Sequence, residues 1–466
     1  MLGNKTTVLY ANNLLLVIKM KNNLKLILDS ITTSGGNPYL VGGCVRDEIL
    51  GIKNSKDIDV EVYGLSADEL ITVLKPFGKV DCVGVSFGVI KLTTPDDDFD
   101  FTLPRRDSKV ADGHQGFTVE VDHNMTITEA ASRRDFTINS ISKDCDGNLF
   151  DPFGGVEDLK NRVLRATSDK FAQDPLRTLR GFQFASRFNL TVDPSTSLMC
   201  KSLLSEAHTI STERIYGEVL KWALKSVKPS AGLYFLRDTK WIELFPELHA
   251  LVGLPQDAEW HPEGDCLTHT SLVCDAARDI AVRDKLNDDD RLVLMLAALC
   301  HDLGKANTTV MRDERWRSPG HAEEGADLTR SLLARMGFGE SVVKKVVPLV
   351  VEHMSHIGVE PNNRLVRRLA VRVAPSNIAM LVRLIEADHS GRHPLPKGVP
   401  ATAAKIQELS EGLDLMTGKP DPIVKGRHLV AMEMEPGPKF KDILDRCYQA
   451  QLDGEFHTLE DGLALV

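Results

Sequence analysis

Asp57 and Asp59 stand two apart in KDIDVEVYG, where Ile58, Val60 and Val62 alternate with Asp57, Asp59 and Glu61. A period of two is that of a β-strand, so the apolar set takes one face and the carboxylates the other. The two aspartates then project side by side, about 7 Å apart at the backbone, which suits ligation of a hard cation by oxygen. Just upstream, YLVGGCVRD reads as a strand from Tyr39 to Val41, a turn at Gly42-Gly43, and a short helix from Cys44 to Leu50 ended by Gly51. Paired glycines let a backbone approach phosphate, and Arg46 is placed to neutralise it. The stretch points to metal-dependent nucleotidyl transfer. An edge strand with a solvated polar face is the plainer alternative, because Asp-x-Asp is common by chance.

Three further segments carry groups that could serve the same chemistry. FDFTL alternates again and sets Asp100 opposite its apolar residues. Asp100 is a third acidic group if this strand neighbours the first, and a solvent-facing residue otherwise. Residues 130–139, AASRRDFTIN, offer Arg134 for a phosphate and Asp135 and Asn139 for a ribose hydroxyl; a helix with a local Arg–Asp pair is the alternative. In QDPLRTLRGFQFASRF, Asp174 before Pro175 forms an N-cap and first-turn pair. Leu176, Leu179, Phe182, Ala185 and Phe188 continue as an apolar helical face. Asp174 and Arg177, three apart, project from the same side. Cytosine and adenine each present an amine donor beside a ring-nitrogen acceptor, which a carboxylate plus a guanidinium complements. Uracil and guanine reverse that order, at about 1–3 kcal/mol per mismatched bidentate contact. Between these segments, residues 104–117 (PRRDSKVADGHQGF) are polar and without period, and read as a mobile loop.

A second constellation begins near Trp260. The helix THTSLVCDAARDIAV carries His269, and an apolar helix from Leu292 to Cys300 runs into His301-Asp302, with Gly304 as its stop. An imidazole beside a carboxylate at a buried helix end suits a divalent metal. His321, His353 and Asp388 follow. Arg364, Arg367, Arg368, Arg372, Arg383 and Arg392 form a local basic excess, either a track for an RNA backbone or a solvated helix face.

The bounds are those of an ordinary globular protein: 466 residues, 42% hydrophobic, 26% charged and a net charge of −10. That charge excludes a wholly basic nucleic-acid coat. Eight scattered cysteines without a C-x-x-C pair point to reduced thiols and a cytoplasmic setting. The run from Leu14 to Ile18 is too short to span a membrane and lacks a cleavage pattern. Residues 1–19 read as an appended segment, with Met20 a candidate start.

GGCVRD, the DID pair, RRDFTIN and the DPFGG turn at Asp151 to Gly155 resemble, in order and spacing, the head of tRNA nucleotidyltransferases. The resemblance is to the bacterial class II branch, which holds CCA-adding enzymes and bacterial poly(A) polymerases. The order His269, His301-Asp302, Asp388 resembles the HD superfamily of metal phosphohydrolases. These resemblances imply an α+β nucleotidyltransferase head with a mixed sheet, followed by an all-α neck and body, an all-α HD domain and a tail. The corresponding division is an N-terminal extension (1–22), catalytic head (23–150), nucleotide-selecting neck and body (151–255), HD domain (256–395) and tRNA-contacting tail (396–466).

The implied activity is template-independent addition or repair of the 3′-terminal CCA of tRNA from CTP and ATP. The implied alternatives are poly(A), CC-only or A-only addition, or an HD phosphohydrolase with an RNA-binding head. The resemblance gives Asp57 and Asp59 two Mg²⁺ ions, Asp174 and Arg177 the choice of base, and Arg180 phosphate or base contacts. It gives Arg105 and Asp107 the switch to adenosine addition. His269, His301, Asp302 and Asp388 would hold one HD metal such as Ni²⁺ or Mn²⁺, and His321 and His353 a second, for 2′,3′-cyclic phosphodiesterase and phosphatase chemistry on RNA ends. Three positions depart from the common pattern: Gln173 stands for Glu, Gln183 for Arg and His428 for Asp.

Overall fold

The computed structural model describes residues 23–52, 58–82, 89–109, 117–122 and 124–466, with side chains throughout except at 107–109 and 117–120. Asp57, the segment 1–22 with its Met20, and residues 83–88 lie outside the described residues, and Asp107 is described in its backbone alone. The chain divides into two compact units, Met1–Gly181 with Leu190–Ile210, and Phe182–Asn189 with Ser211–Val466.

The first unit is built on a seven-stranded mixed sheet. Its order is Lys79–Cys82, Val89–Thr93, Asp98–Thr102, Ile58–Tyr63, Asn37–Val41, Ser142–Lys143 and Leu149–Phe150. Ile58–Tyr63 pairs in parallel with Asp98–Thr102 and antiparallel with Asn37–Val41, so it is an interior strand and not an edge. The expected alternation holds. Val60, Val62, Phe99 and Phe101 are fully buried and pack with Leu70 and Leu74 of helix Ala67–Leu74 and with Ile27 and Ile31 of the helix over 23–33. That helix Ala67–Leu74 starts at Ser66, whose side chain and Glu69 cap each other reciprocally. The opposite face is also covered beyond Asp59, since Tyr63 packs with Met125 and Ala130. Carboxylates can therefore stay open only at the start of the strand.

The segment read as a loop from 104 to 117 is different. Arg105–Lys109 pairs antiparallel with Phe117–Val121 as a two-stranded ribbon, Arg105 opposite Val121 and Asp107 opposite Val119. RRDSK has no apolar face, so it shows none of the alternation by which a half-buried strand is read.

The second unit is helical. Ser211 caps Thr212–Lys225, and Trp222 and Trp241 are buried outright, which makes them core rather than stacking surfaces. Most of the basic run meets carboxylates of the fold: Arg364 and Arg368 reach Asp453, Arg372 reaches Glu352 and Arg383 reaches Asp284. Surface pairs of this kind add little stability, but they lower the positive charge offered to an RNA backbone. His428 accepts from the Lys425 backbone N–H at 3.1 Å, at the start of helix Gly426–Ala431. It thus does the capping work of a carboxylate there. No helix among the described residues is long and apolar enough to cross a membrane.

Candidate active sites

In the sheet, Asp59 stands directly opposite Asp100 across the parallel pair, and adjacent strands lie about 4.8 Å apart. The third acidic residue is therefore beside the first pair's strand. Gly42 has φ +69°, a backbone region that side chains rarely adopt, and a Cβ there would lie 3.1 Å from Arg134 Nη1 and 4.0 Å from Asp59 Oδ2. The glycine turn, the Arg134 guanidinium and the Asp59 carboxylate thus converge.

The RRDFTIN segment is held by a network that its own sequence does not show. Arg134 pairs with Glu61, at 3.2 Å, and not with its neighbour Asp135; Arg133 reaches the same carboxylate at 3.3 Å. Glu61 is 1% exposed and also accepts from the Tyr63 hydroxyl at 2.9 Å. Burial alone would raise its pKa, but Arg134, Arg133 and Tyr63 hold it below the usual carboxylate range. Asp135 accepts from Asn139 Nδ2 at 2.9 Å and from Arg180 Nε at 2.7 Å. Burial opposes its charge too, yet Arg180 above all keeps it ionised. Arg177 donates to the backbone carbonyls of Lys170 and Arg133, at 2.8 and 2.7 Å. Asp174 caps Leu176 N–H at 3.0 Å. Arg46 is 4% exposed and donates to Asp47 and to Asn139 Oδ1. Residues 174–180 are thereby tied to the head segment through backbone carbonyls and the Arg180–Asp135 pair.

Glu61 is not among the candidates read from the sequence, although it lies on the same alternating face as Asp57 and Asp59. Glu61→Gln leaves two largely buried guanidiniums facing a neutral group, an expected loss of about 3 kcal/mol at the lower end for a broken buried pair. The loss reads as a lower midpoint of urea unfolding. An unchanged midpoint would remove Glu61 from this anchoring role.

In the second unit, six histidine and aspartate side chains meet. His269, from helix Cys266–Arg283, places Nε2 3.3 Å from His301 Nε2 and 3.1 Å from Asp388 Oδ1. His321 and His353 place their Nε2 atoms 3.2 Å apart. Asp302 lies between the two groups. Its Oδ2 is 3.3 Å from His301 and 3.6 Å from His269, and its Oδ1 is 3.4 Å from His321 and 3.9 Å from His353. His269, His301, Asp302 and His353 are at most 1% exposed.

The tautomers decide what this cluster can hold. Nδ1 of His301, His321 and His353 each faces a carbonyl, of Ala298, Ser318 and Val350, at 2.8, 2.8 and 2.6 Å. A carbonyl only accepts, so Nδ1 carries the proton and Nε2 presents a lone pair inward. Lone pairs facing each other at such distances repel unless a cation sits between them, so the donor set fits metal ions. The two groups also differ electrostatically. Burial opposes protonation of His269, yet Asp388 and Glu263 push its pKa up to about 9. Burial, with His301 and His321 alongside, pushes His353 down to about 3.

Gly304 does not stop its helix by a left-handed turn, since its φ is −65°. A Cβ there would lie 2.0 Å from the His321 carbonyl oxygen, so glycine is needed for the close approach of the two ligand-bearing segments. Two supporting residues escape a reading of the sequence. Lys305 Nζ stands 2.7 Å from Asp302 Oδ2, and Glu263 Oε1 stands 2.6 Å from His269 Nδ1.

Residues 38–165 match the family described as Poly A polymerase head domain, and residues 266–390 match the HD domain. A multifunctional CCA protein of Xylella fastidiosa (strain M23) is 36% identical over 368 residues, covering 76% of this chain and 84% of the relative. The chain belongs to the multifunctional CCA protein family. Among solved structures, a CCA-adding enzyme in apo form II has a TM-score of 0.63 at 19% identity, covering 96% of this chain and 95% of that one. The Bacillus stearothermophilus CCA-adding enzyme in complex with CTP has 0.61 at 19% identity, covering 95% and 96%. At such identities the likeness establishes the fold. Within the multifunctional CCA family's plan, Gln183 is 2% exposed with its Nε2 lacking a hydrogen-bond partner, and nothing in the structure explains the exchange of Arg for Gln there.

Proposed function

We propose that this chain adds and repairs the 3′-terminal CCA of tRNA from CTP and ATP, and that its HD unit hydrolyses phosphoesters at RNA ends, both in the cytoplasm. The observation that carries CCA addition is Asp59 opposite Asp100 beside the Gly42 turn and Arg134, in a chain of this family. The domains that would do this work are a head ending near residue 150, a neck and body to 255, an HD domain over 256–395 and a tail from 396.

In the head, Asp57, Asp59 and Asp100 would hold Mg²⁺. Two such ions supply charge neutralisation on the attacking hydroxyl and on the pyrophosphate leaving group of an in-line displacement. The chain's own residues do the positioning. Gly42 and Gly43 admit the triphosphate, and Arg46, through Asn139, fixes the segment that carries Arg134. Arg134 meets phosphate; Asp135 and Asn139 meet the ribose. Asp174 and Arg177 read the base edge, Arg180 orients Asp135, and Arg105 and Asp107 on the ribbon serve the change from cytidine to adenosine. In the HD unit, His269, His301, Asp302 and Asp388 would hold one divalent ion such as Ni²⁺ or Mn²⁺, with His321 and His353 completing a second position on Asp302. Metal there would make a water acidic enough to lose its proton and so become the nucleophile for phosphorus.

Transcripts of tRNA lacking CCA, CA or only the final A, offered CTP and ATP separately and together, test the reading by product length. Restoration of CCA from every start supports it. Long adenosine tails, or arrest after CC, would replace it with poly(A) or CC-only addition.

Arg177→Ala is expected to relax selection of CTP and ATP over UTP and GTP by about tenfold, within the range for one lost bidentate contact. Single-nucleotide competition on a tRNA lacking CCA measures it. Unchanged selectivity would leave Arg177 only as a strut to the Lys170 and Arg133 carbonyls.

A further inference from the structure

We propose that the HD cluster binds its two metal ions unequally, the His269–His301 half first, because Glu263 supplies an outer carboxylate to that half alone. The proposal rests on metal binding by the HD unit and not on the hydrolysis. The asymmetry lies in what stands behind each histidine. His301, His321 and His353 all lean on neutral backbone carbonyls. His269 instead turns Nδ1 to the Glu263 carboxylate at 2.6 Å. The contact is an ion-pair approach without the alignment of a hydrogen bond; a carboxylate so placed makes the imidazole's Nε2 a stronger donor, and loss of such a partner typically weakens metal binding 10–100-fold.

Glu263 is built for this position. Its side chain is 1% exposed, and His261 Nδ1 reaches the same oxygen at 3.0 Å. The His261 ring meets the His269 ring edge-on, with centroids 4.6 Å apart. Oε2 of Glu263 is buried without a hydrogen-bond partner, so little of the charge is dissipated elsewhere. Direct ligands add to the imbalance. The His269–His301 half has Asp388 as well as the shared Asp302, whereas the His321–His353 half has Asp302 alone among the clustered carboxylates. A dication is held more strongly where more negative charge faces it. Glu263 thus acts as a positioning residue, through His269.

Calorimetric titration of the metal-free full-length chain with Mn²⁺ tests this, with Asp302→Ala as the blank that removes binding outside the cluster. Two steps of different affinity are expected, and electron paramagnetic resonance should show a spin-coupled Mn²⁺ pair only after the second. Glu263→Gln keeps shape and an acceptor oxygen, and is expected to weaken the tighter step 10–100-fold while leaving the weaker one within about twofold. That unchanged step also reports that the cluster is folded. His261→Asn, which leaves Glu263 wholly to His269, should not weaken the tighter step.

Two equal steps in the native chain would overturn the proposal. So would equal weakening of both steps by Glu263→Gln, no weakening at all, or the same weakening by His261→Asn. Outright loss of one equivalent would make Glu263 a ligand and overturn its outer role. A native chain that binds Mn²⁺ in two unequal steps yet hydrolyses no phosphoester defeats the phosphohydrolase reading and leaves this one standing.

Discussion

Asp302→Asn is expected to release metal from the helical unit and to lower phosphoester hydrolysis by about 10³-fold, while the head continues to add nucleotides. Asp302 is the one carboxylate, among the described residues of the cluster, within reach of both histidine pairs, Oδ2 toward His269 and His301 and Oδ1 toward His321 and His353. Asparagine keeps the volume but removes the anion, so the four inward Nε2 atoms lose the charge that most favours a dication among them. The several kcal/mol that a bound metal contributes to phosphoryl chemistry convert to roughly three decades of rate. Elemental analysis after dialysis reads the metal, and 2′,3′-cyclic AMP reads the hydrolysis. Hydrolysis that survives loss of metal would show that the cluster is not its centre. Loss of CCA addition as well would show that one machinery serves both activities.

How much of this is legible in the sequence depends on whether the deciding interaction is local. The strand at Ile58–Tyr63 can be read because its period of two is written in consecutive residues, and so can the helices bearing His269 and His301. That Asp100 lies beside Asp59 can only be posed as a condition, because the pairing joins strands some forty residues apart across two others. Glu61 shows the same limit. On its own strand it is one more polar-face residue, and only the fold brings Arg133 and Arg134 to it. The ribbon at Arg105–Lys109 escapes for lack of an apolar face. Glu263 escapes because it sits in a Pro-Glu-Gly stretch that reads as a turn. The basic run is legible as charge, but not the carboxylates that the fold sets against it.

Asp57→Ala with Asp59→Ala is expected to abolish CCA addition, by at least about 10³-fold, and to leave hydrolysis of 2′,3′-cyclic AMP unchanged. In-line displacement on a triphosphate asks little covalent chemistry of the protein and much charge stabilisation, so removing the ligands that hold the cations removes most of the rate. The buried positions of the Asp59 strand are Val60, Glu61, Val62 and Tyr63, so Asp59 falls outside the packed stretch. The head core of Phe99, Phe101, Leu70 and Leu74 is untouched by it. Addition that persists would move the catalytic carboxylates elsewhere in the head. Loss of both activities would join the two centres that the fold places in separate units. Asp100→Asn sharpens the result, because a third ligand opposite Asp59 should lower addition steeply, whereas a bystander on a neighbouring strand should leave it within about twofold of the native rate.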